Sequence, residues 1–315
     1  MSSMTVAQAR VIDPVLTSVA QGYKHADRVG SVLFPRVDVT ARGGKILEFG
    51  REGFRLYASR RAPGAPTLHV PFAYEGKDFN LAQDALNSSV PRELLDDARR
   101  VPGVDMGTRA VSTCMFALTL TLEAEQAKLA TTPGNFDLNH RLILTGEDRW
   151  SAPDSNPVAD IKDAKEKVRR SVGVDPNRMV VSKPIFNALK MHPKIVDRFK
   201  YTSSDSITAA MLANLFDLDM IAIGKAAALE GPDETAQFVD VWGNFATLAY
   251  VPAAGAGYEE PSFGYTYTLK GHPFVEQPYW DGDKKSWIYG VTYERRPVLT
   301  GMLAGFLFQS VIEEA

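Results

Sequence analysis

The chain has 315 residues, of which 45% are hydrophobic and 10% aromatic, as is typical of a globular protein with one large or two ordinary domains. A net charge of -3 argues against a surface built to bind nucleic acid, so contact with DNA should be weak and nonspecific. The single cysteine, Cys114, excludes an intrachain disulfide and a multi-cysteine metal site. Because no long apolar window and no signal-peptide pattern occurs, we expect a soluble, non-exported protein without membrane contact.

Residues 1–44 are predicted to form an extended N-terminal arm. The segment contains one short possible helix, near Val15 to Ala20, followed by a polar stretch that ends in LFPRVDVTARGG. This stretch has too few apolar positions for a core, so we expect it to lie extended.

A long β-hairpin is predicted between Lys45 and Phe79. Two strand-like runs, KILEFGREGFRLY and TLHVPFAYEGKDF, are separated by ASRRAPGAP, whose prolines and glycine mark a tip. Each leg of about twelve residues would reach about 40 Å, and an isolated two-stranded hairpin is barely stable in water. Phe72 and Tyr74 belong to one apolar face of the returning strand. The hairpin therefore needs a partner to lie on.

Four arginines are carried by this hairpin, concentrated near its tip. They can be explained as charges that keep a loop soluble, or as guanidinium groups that pair with carboxylates of another chain. We favour the second interpretation because the apolar face of the hairpin also lacks an evident cover within its own chain. The candidate inter-subunit contact residues are Arg51, Arg55, Arg60, Arg61, Pro63, Phe72 and Tyr74.

The segment from Gly107 to Pro133 is predicted to be one uninterrupted helix, about 36 Å long at about 1.5 Å per residue. Thr108 offers an N-terminal cap, and Thr132-Pro133-Gly134 a stop. A short helix with start signals at Ser89, Pro91 and Glu93 should precede it and run through Arg100. An apolar stripe on the long helix, together with Cys114, should face a sheet of the same subunit; it comprises Val111, Met115, Leu118, Leu122 and Leu129, widened by Phe116 and Leu120.

A mixed α/β unit is predicted after the strand HRLILTG and a joint at WSAPDSNP. Its first helix should be capped by Asn156, open at Pro157 and end at Gly173. Alternating strands and helices follow, from RMVVS through FATLAYV. Beyond Pro261 we expect two long aromatic strands, SFGYTYTLKG and SWIYGVTYERR, and then an apolar run, VLTGMLAGFLFQSVI, that closes the sheet of the mixed unit.

The sequence contains no motif of a nucleotide-binding, hydrolase or zinc-protease site, which counts against an ordinary enzyme. The five histidines are scattered and are best explained as surface or structural residues: His25, His69, His140, His192 and His272. Asp281-Gly282-Asp283 lacks the further acidic ligands of a calcium loop and is better explained as a strand connection. Trp280, Trp287, Tyr289 and Tyr293 could stack sugars or bases, but one packed strand face is favoured. We therefore predict no catalytic residue, no cofactor and no metal.

The order of these parts resembles that of a tailed-bacteriophage major capsid protein, whose fold is shared with encapsulin shells. The amino-acid sequence itself is also similar, in stretches that cover most of the chain: DPVLTSVAQGYKHADRVGSVLFPRV, GGKILEFGREGFRLY, SRRAPGA, VPRELLDDAR, DRFKYTSSDSIT, DVWGNFATLAYVP, FGYTYTLKGHP and KSWIYGVT. The resemblance implies an α+β phage major-capsid fold with an N-arm, an extended β-hairpin loop, a peripheral domain with a long spine helix, and a mixed α/β axial domain.

The same resemblance implies domain boundaries. The N-terminal arm would be 1–44 and the extended loop 45–79. The peripheral domain would comprise 80–155 and 253–297, with its spine helix at 108–132, and the axial domain would comprise 156–252 and 298–315. Some relatives carry a long cleavable scaffolding segment before the arm, whereas here the arm begins almost at Met1.

The function implied is structural: many copies would assemble, as hexamers and pentamers, into an icosahedral shell that encloses phage double-stranded DNA in the virion. Partners would be further copies of the chain, a separate scaffolding protein, a portal, and packaged DNA through weak nonspecific contact, with assembly in the host cytoplasm. An encapsulin-like nanocompartment shell and, less favoured, a soluble enzyme of unrecognised class remain the alternatives.

Overall fold

The structure is a computed structural model and describes residues 12–47, 60–61, 76–98, 100, 103–200, 206–229, 237–252 and 262–313. The helices are α1 (Pro14–Gly22), α2 (Arg92–Ala98), α3 (Met106–Thr131), α4 (Pro157–Val172), α5 (Lys183–Met191), α6 (Pro193–Phe199) and α7 (Ala209–Phe216). The strands are β1 (Arg36–Val39), β2 (Gly43–Leu47), β3 (Gly76–Asn80), β4 (Ala82–Pro91), β5 (Arg141–Ile143), β6 (Arg178–Ser182), β7 (Met220–Gly224), β8 (Ala227–Leu229), β9 (Phe238–Asp240), β10 (Phe245–Ala249), β11 (Gly264–Leu269), β12 (Phe274–Val275), β13 (Tyr279–Asp281), β14 (Ser286–Leu299) and β15 (Gly305–Gln309).

A six-stranded sheet is built around β14, which is 14 residues long. Strand β11 pairs with it on one side, and β4, β12 and β13 pair with other parts of it. The predicted aromatic strands are therefore confirmed as neighbours. Strand β4 was not predicted: Ser89 lies within it, and the short helix α2 begins only at Arg92.

A five-stranded sheet has the order β5-β15-β10-β6-β7. Its last strand in the chain, β15, runs parallel to β5 and antiparallel to β10, which confirms that the apolar run near residue 307 returns to this sheet. Only residues 305–309 of that run form the strand, because its first residues complete β14. The predicted joint at WSAPDSNP does not separate the two sheets, since β5 precedes it and Trp150 within it is fully buried.

Apolar side chains cover both faces of the five-stranded sheet. On one face, helices α4 to α7 pack against Val181, Leu248 and Phe306. On the other, Val180 and Leu307 pack with the C-terminal part of α3. The order of elements predicted for this unit is confirmed, including the start of α4 after its cap Asn156 and its end at Gly173, whose φ of 80° suits glycine.

The long helix α3 spans 26 residues and contacts both sheets. Val111, Cys114, Met115 and Leu118 pack with β12 and β14, as predicted. Farther along the helix, Leu129 of the predicted stripe packs with Ala127 and Ala130 in the core beside the five-stranded sheet, so the prediction that the whole stripe faces one sheet is wrong at this end. The helix thus joins the two sheets, and its C-terminal end before Thr132 is confirmed.

Two further details of this helix were predicted wrongly. The N-terminal cap is Asp105, whose carboxylate accepts from the backbone N–H of Gly107, while the Thr108 hydroxyl donates to the same carboxylate. Phe116 is 44% exposed and does not widen the buried stripe. Its ring is instead contacted by the guanidinium of Arg28, 5.1 Å from the ring centroid.

The N-terminal segment packs on the body of the subunit from residue 12 to residue 39. Helix α1, which corresponds to the short helix predicted near Val15 to Ala20, lies against α3. Strand β1 pairs in parallel with β11. Leu33 and Phe34 are fully buried in the core that covers the five-stranded sheet. The prediction that this stretch has too few apolar residues to enter a core is therefore wrong, because Leu33 and Phe34 enter the core directly before β1 pairs with β11.

The base of the predicted hairpin is confirmed: β2 and β3 are antiparallel, with Gly43 opposite Asn80 and Leu47 opposite Gly76. The remainder of the hairpin, apart from residues 60 and 61, lies outside the described residues. A second, smaller hairpin is formed by β8 and β9.

Candidate inter-subunit contact region

The hairpin base is fixed to the six-stranded sheet by an ion pair. The guanidinium of Arg42, directly before β2, donates from Nε and Nη2 to the two carboxylate oxygens of Glu294, at 2.7 and 2.9 Å. The Arg42 carbonyl also accepts from the backbone N–H of Leu81, and the ring of Phe79 stacks on Tyr267 at 4.8 Å between centroids. Both strands of the base are thereby held against β11 and β14.

The Glu294 carboxylate is nearly enclosed, with 4% of its side chain exposed. Hydrogen bonds from Arg42 hold the pKa of Glu294 below its ordinary value. Its neighbour His272 is buried, and this burial lowers the pKa of the imidazole. The ring Nδ1 of His272 accepts from the backbone N–H of Glu294. A neutral histidine and an ionised carboxylate are consistent with that arrangement, and His272 acts structurally.

Two of the seven predicted contact residues lie within the described part of the chain. Arg60 and Arg61 are exposed, as a contact with another subunit requires. The other five lie outside the described residues: Arg51, Arg55, Pro63, Phe72 and Tyr74.

A buried carboxylate on α3 ties three segments together. Glu123 is 1% exposed and accepts from the backbone N–H groups of Val29 and Gly30 and from the indole Nε1 of Trp242, at 2.7 to 3.0 Å. Burial raises the pKa of Glu123, although the three donors act in the opposite direction. The carboxylate thus fixes the path of the N-terminal segment relative to the helix and to the turn before β10.

Sequence reasoning missed Glu123 because it followed only apolar residues along α3. A signal was present: Glu123, Gln126, Ala127 and Ala130 recur at helical steps of three and four, and all four are buried. A polar residue within such a stripe indicates a buried hydrogen-bonding site, since buried polar groups are almost always paired.

Exposed aromatic side chains form a patch at the end of the six-stranded sheet. Trp280 of β13 and Trp287 of β14 are direct register partners and are 42% and 39% exposed. The predicted packed face on β14 is correct for Val291 and Tyr293 but not for Trp287. Elsewhere, Phe238 on β9 is 75% exposed. Adjacent exposed aromatic groups such as the two tryptophans are typical of surfaces that another protein covers, whereas a single exposed side chain is ordinary.

The described residues contain no group of three or more potential metal ligands. At the suggested calcium loop, one carboxylate oxygen of Asp281 accepts from the backbone N–H groups of Asp283 and Lys284, as in an ordinary strand connection. His140 and His192 are buried and lie 2.9 and 3.0 Å from the hydroxyls of Ser171 and Ser155. None of the described helices is long and apolar enough to cross a membrane.

Comparison with known proteins places these features in a family. A family model described as phage major capsid protein E matches residues 135–228. A major capsid protein of Burkholderia phage BcepMu is 33% identical over 97% of this chain and 98% of its own length. The crystal structure of a phage-related protein from Bordetella bronchiseptica is 44% identical, has a TM-score of 0.84, and is matched over 96% of this chain and 99% of its own.

An encapsulin complex from Synechococcus elongatus has the same fold, with a TM-score of 0.52 over 99% of this chain and 92% of its own. At 11% identity it shows the fold alone. The identity to the phage major capsid protein is much higher, which favours a capsid shell over an encapsulin shell. The role of this chain is therefore structural, in a capsid shell built from copies of itself. The chain belongs to the phage major capsid protein family.

Proposed function

We propose that copies of this chain assemble, as hexamers and pentamers, into an icosahedral shell that encloses phage double-stranded DNA. The observation that carries the proposal is the similarity to a phage major capsid protein over 97% of the chain. The near-neutral charge suits this role, because a shell wall needs only weak, nonspecific contact with packaged DNA. A separate scaffolding protein and a portal would complete the assembly in the host cytoplasm, and no catalytic activity is required.

We propose the following division of the subunit. Residues 1–44 form the arm and 45–79 the extended loop; 80–155 with 253–297 form the peripheral domain, and 156–252 with 298–315 the axial domain. The six-stranded sheet and the five-stranded sheet supply a core to each of the two larger domains, and the spine helix at 108–132 connects them. Two strands depart from this division. Strand β1 falls in the arm but belongs to the six-stranded sheet, and β5 falls in the peripheral range but belongs to the five-stranded sheet.

The hairpin between β2 and β3 is the proposed contact with neighbouring subunits, through Arg51, Arg55, Arg60, Arg61, Pro63, Phe72 and Tyr74. Support comes from its firmly held base, since the Arg42–Glu294 ion pair fixes where the hairpin leaves the body. Planar guanidinium groups pair with carboxylates in a defined geometry, which suits contacts that must repeat at fixed angles.

Deletion of Ser59 to Pro66 tests this role. The deletion should leave a folded subunit, seen by circular dichroism, because every strand described in the two larger sheets lies outside positions 59–66. It should prevent shell formation, measured by light scattering and electron microscopy. A deletion of the same length at residues 253–260 serves as the matched control for removal of residues elsewhere in the chain. Normal shells from the Ser59–Pro66 deletion would contradict the proposal.

A further inference from the structure

One carboxylate oxygen of Glu123 serves two segments that lie far apart in the chain. Oε1 accepts from the backbone N–H of Val29 at 3.0 Å and from the indole Nε1 of Trp242 at 2.7 Å. Oε2 accepts from the backbone N–H of Gly30 at 2.9 Å. Val29 and Gly30 precede β1, whereas Trp242 directly follows the β8–β9 hairpin. A shift of either donor therefore acts on the acceptor that holds the other.

The segment at 29–34 approaches α3 too closely to carry a side chain at Gly30. A methyl group there would lie 2.1 Å from Oε1 and 2.9 Å from Cβ of Gln126, one helical turn beyond Glu123. The segment nevertheless lies partly at the molecular surface, since Val29 is half-buried and Ser31 is exposed. It therefore covers the Glu123 carboxylate from the solvent side.

Trp242 connects the same carboxylate to the β8–β9 hairpin. Its side chain is 1% exposed and packs so closely on the end of β7 that a methyl group at Gly224 would lie 2.3 Å from Cδ1. The backbone N–H of Val241, next to Trp242, donates to the carbonyl of Ala226, directly before β8. Both ends of the hairpin thus meet at the indole.

The β8–β9 hairpin depends on this base for its position. Its register partners Leu229 and Phe238 are 53% and 75% exposed, and Val239 is 45% exposed. A two-stranded hairpin with so little burial gains little stability from its own pairing. How firmly the hairpin is held is therefore decided where Trp242 binds Glu123.

We propose that Glu123 couples the segment at 29–34 to the β8–β9 hairpin, so that loosening either one loosens the other. A buried acceptor that loses a donor is costly unless water replaces that donor. Water reaches Glu123 by opening of the half-buried segment, because the indole on the other side is enclosed. Loss of the Trp242 donor therefore favours opening of the segment. Displacement of the segment, in turn, draws Glu123 toward water and leaves the indole N–H unpaired.

This coupling lets one subunit transmit a restraint between two parts of its surface. Coupling free energies are reciprocal, so a contact that restrains the hairpin also restrains residues 29–34, and the reverse holds equally. The use of this property in a shell rests on the proposed function. The coupling itself belongs to the single subunit and is measured before assembly.

Hydrogen exchange of the unassembled subunit, read by mass spectrometry, tests the coupling from the hairpin side. Trp242→Phe keeps an aromatic ring but removes the N–H that binds Glu123. We expect exchange of the amides at 29–34 to accelerate about fivefold or more. The matched control is Trp150→Phe, which removes the hydrogen bond of another fully buried indole, to Asp160, and should leave 29–34 unchanged.

The reverse experiment starts from the N-terminal side. Gly30→Ala forces the segment away from Gln126 without altering the hairpin, and we expect exchange of the β8 and β9 amides to accelerate by a similar factor. Gly22→Ala is the control, because a methyl group there meets no atom within 4 Å. Glu123→Gln, which replaces one acceptor oxygen by a donor, should accelerate exchange in both places.

The outcomes separate coupling from simple destabilisation. Acceleration that stays on the substituted side in Trp242→Phe or in Gly30→Ala would overturn the proposal. A uniform acceleration of all peptides would also overturn it, because that pattern reports global unfolding. If Trp242→Phe does not fold, Gly30→Ala and Glu123→Gln decide the question. Failure of the unmodified chain to form particles would contradict the proposed function and leave these measurements unaffected.

Discussion

Arg295 of β14 donates from Nη1 to Oε2 of Glu125 on α3 at 2.8 Å, while its own side chain is fully buried. Its Nη2 donates to the carbonyl of Leu118 and lies 3.0 Å from the Asp84 carboxylate on β4. One guanidinium therefore connects the long helix to two strands of the six-stranded sheet. Removal of one partner from a buried ion pair is costly because it leaves charge and space uncompensated.

Arg295→Ala should lower the free energy of unfolding of the unassembled subunit by about 3 kcal/mol, measured by urea titration. The partial exposure of Glu125 and Asp84 keeps the effect below that of a fully enclosed network. Arg296→Ala is the matched control, since Arg296 is exposed and should change stability by less than about 0.5 kcal/mol. Equal effects of the two substitutions would show that the buried contacts of Arg295 contribute nothing.

Glu294→Gln should weaken the hairpin base in a pH-dependent way. Because Arg42 depresses the pKa of Glu294 in the folded subunit, this carboxylate contributes stability above its unfolded pKa of about 4.3, and that contribution is lost as pH falls through the folded value. The substitution should therefore lower the urea midpoint at pH 7 and have little effect well below pH 4. Glu147→Gln, at an exposed site, is the control. A difference that is constant between pH 3 and 7 would contradict this assignment.

Gly224→Ala should disturb the Glu123 site from a distance. A methyl group at residue 224 would lie 2.3 Å from Cδ1 of Trp242, so the indole must move and its hydrogen bond to Glu123 is strained or lost. We expect a loss of about 3 kcal/mol in the free energy of unfolding, with a changed tryptophan emission. Gly134→Ala, where a methyl group meets no atom within 4 Å, should do neither.

Cys114 should be unreactive in the folded subunit. The thiol is 4% exposed in the core between α3 and β14, and burial raises its pKa, so little thiolate is present to react. A thiol reagent such as dithionitrobenzoate should modify Cys114 only as fast as the subunit unfolds, with the rate rising in urea. Rapid modification without denaturant would mean that the α3–β14 contact opens readily.

Elements with local signals were predicted well. Helix α4 carries its own start and stop, Asn156 with Pro157 and then Gly173, and the structure places the helix between them. Strand β4 carries no such signal: its sequence, AQDALNSSVP, is rich in residues that strands usually avoid, and most of its positions are exposed or half-buried. It forms a strand because β14, about 200 positions later in the chain, supplies a ladder of ten register pairs.

The same distinction applies to the contact region. Exposure of Arg60 and Arg61 follows from charge, a property of the residues themselves. Leu33 and Phe34 could not be assigned to a core from their polar neighbours, because their burial depends on β10, β15 and α3, which are remote in sequence. Glu123 and Glu294 became recognisable as structural carboxylates only once their donors, from other segments, lay beside them.

The position of β15 has a consequence for the order of synthesis. Strand β5 joins the five-stranded sheet only through β15, whose residues Phe306 to Phe308 are buried on both faces of that sheet. A nascent chain can therefore form β6, β7 and β10 while still attached to the ribosome, but the sheet stays split until residue 309 has emerged. Chains that terminate early would retain unpaired edges on β5 and β10, and such edges can pair with other chains. A subunit that lacks β15 would therefore be prone to aggregate through those two edges.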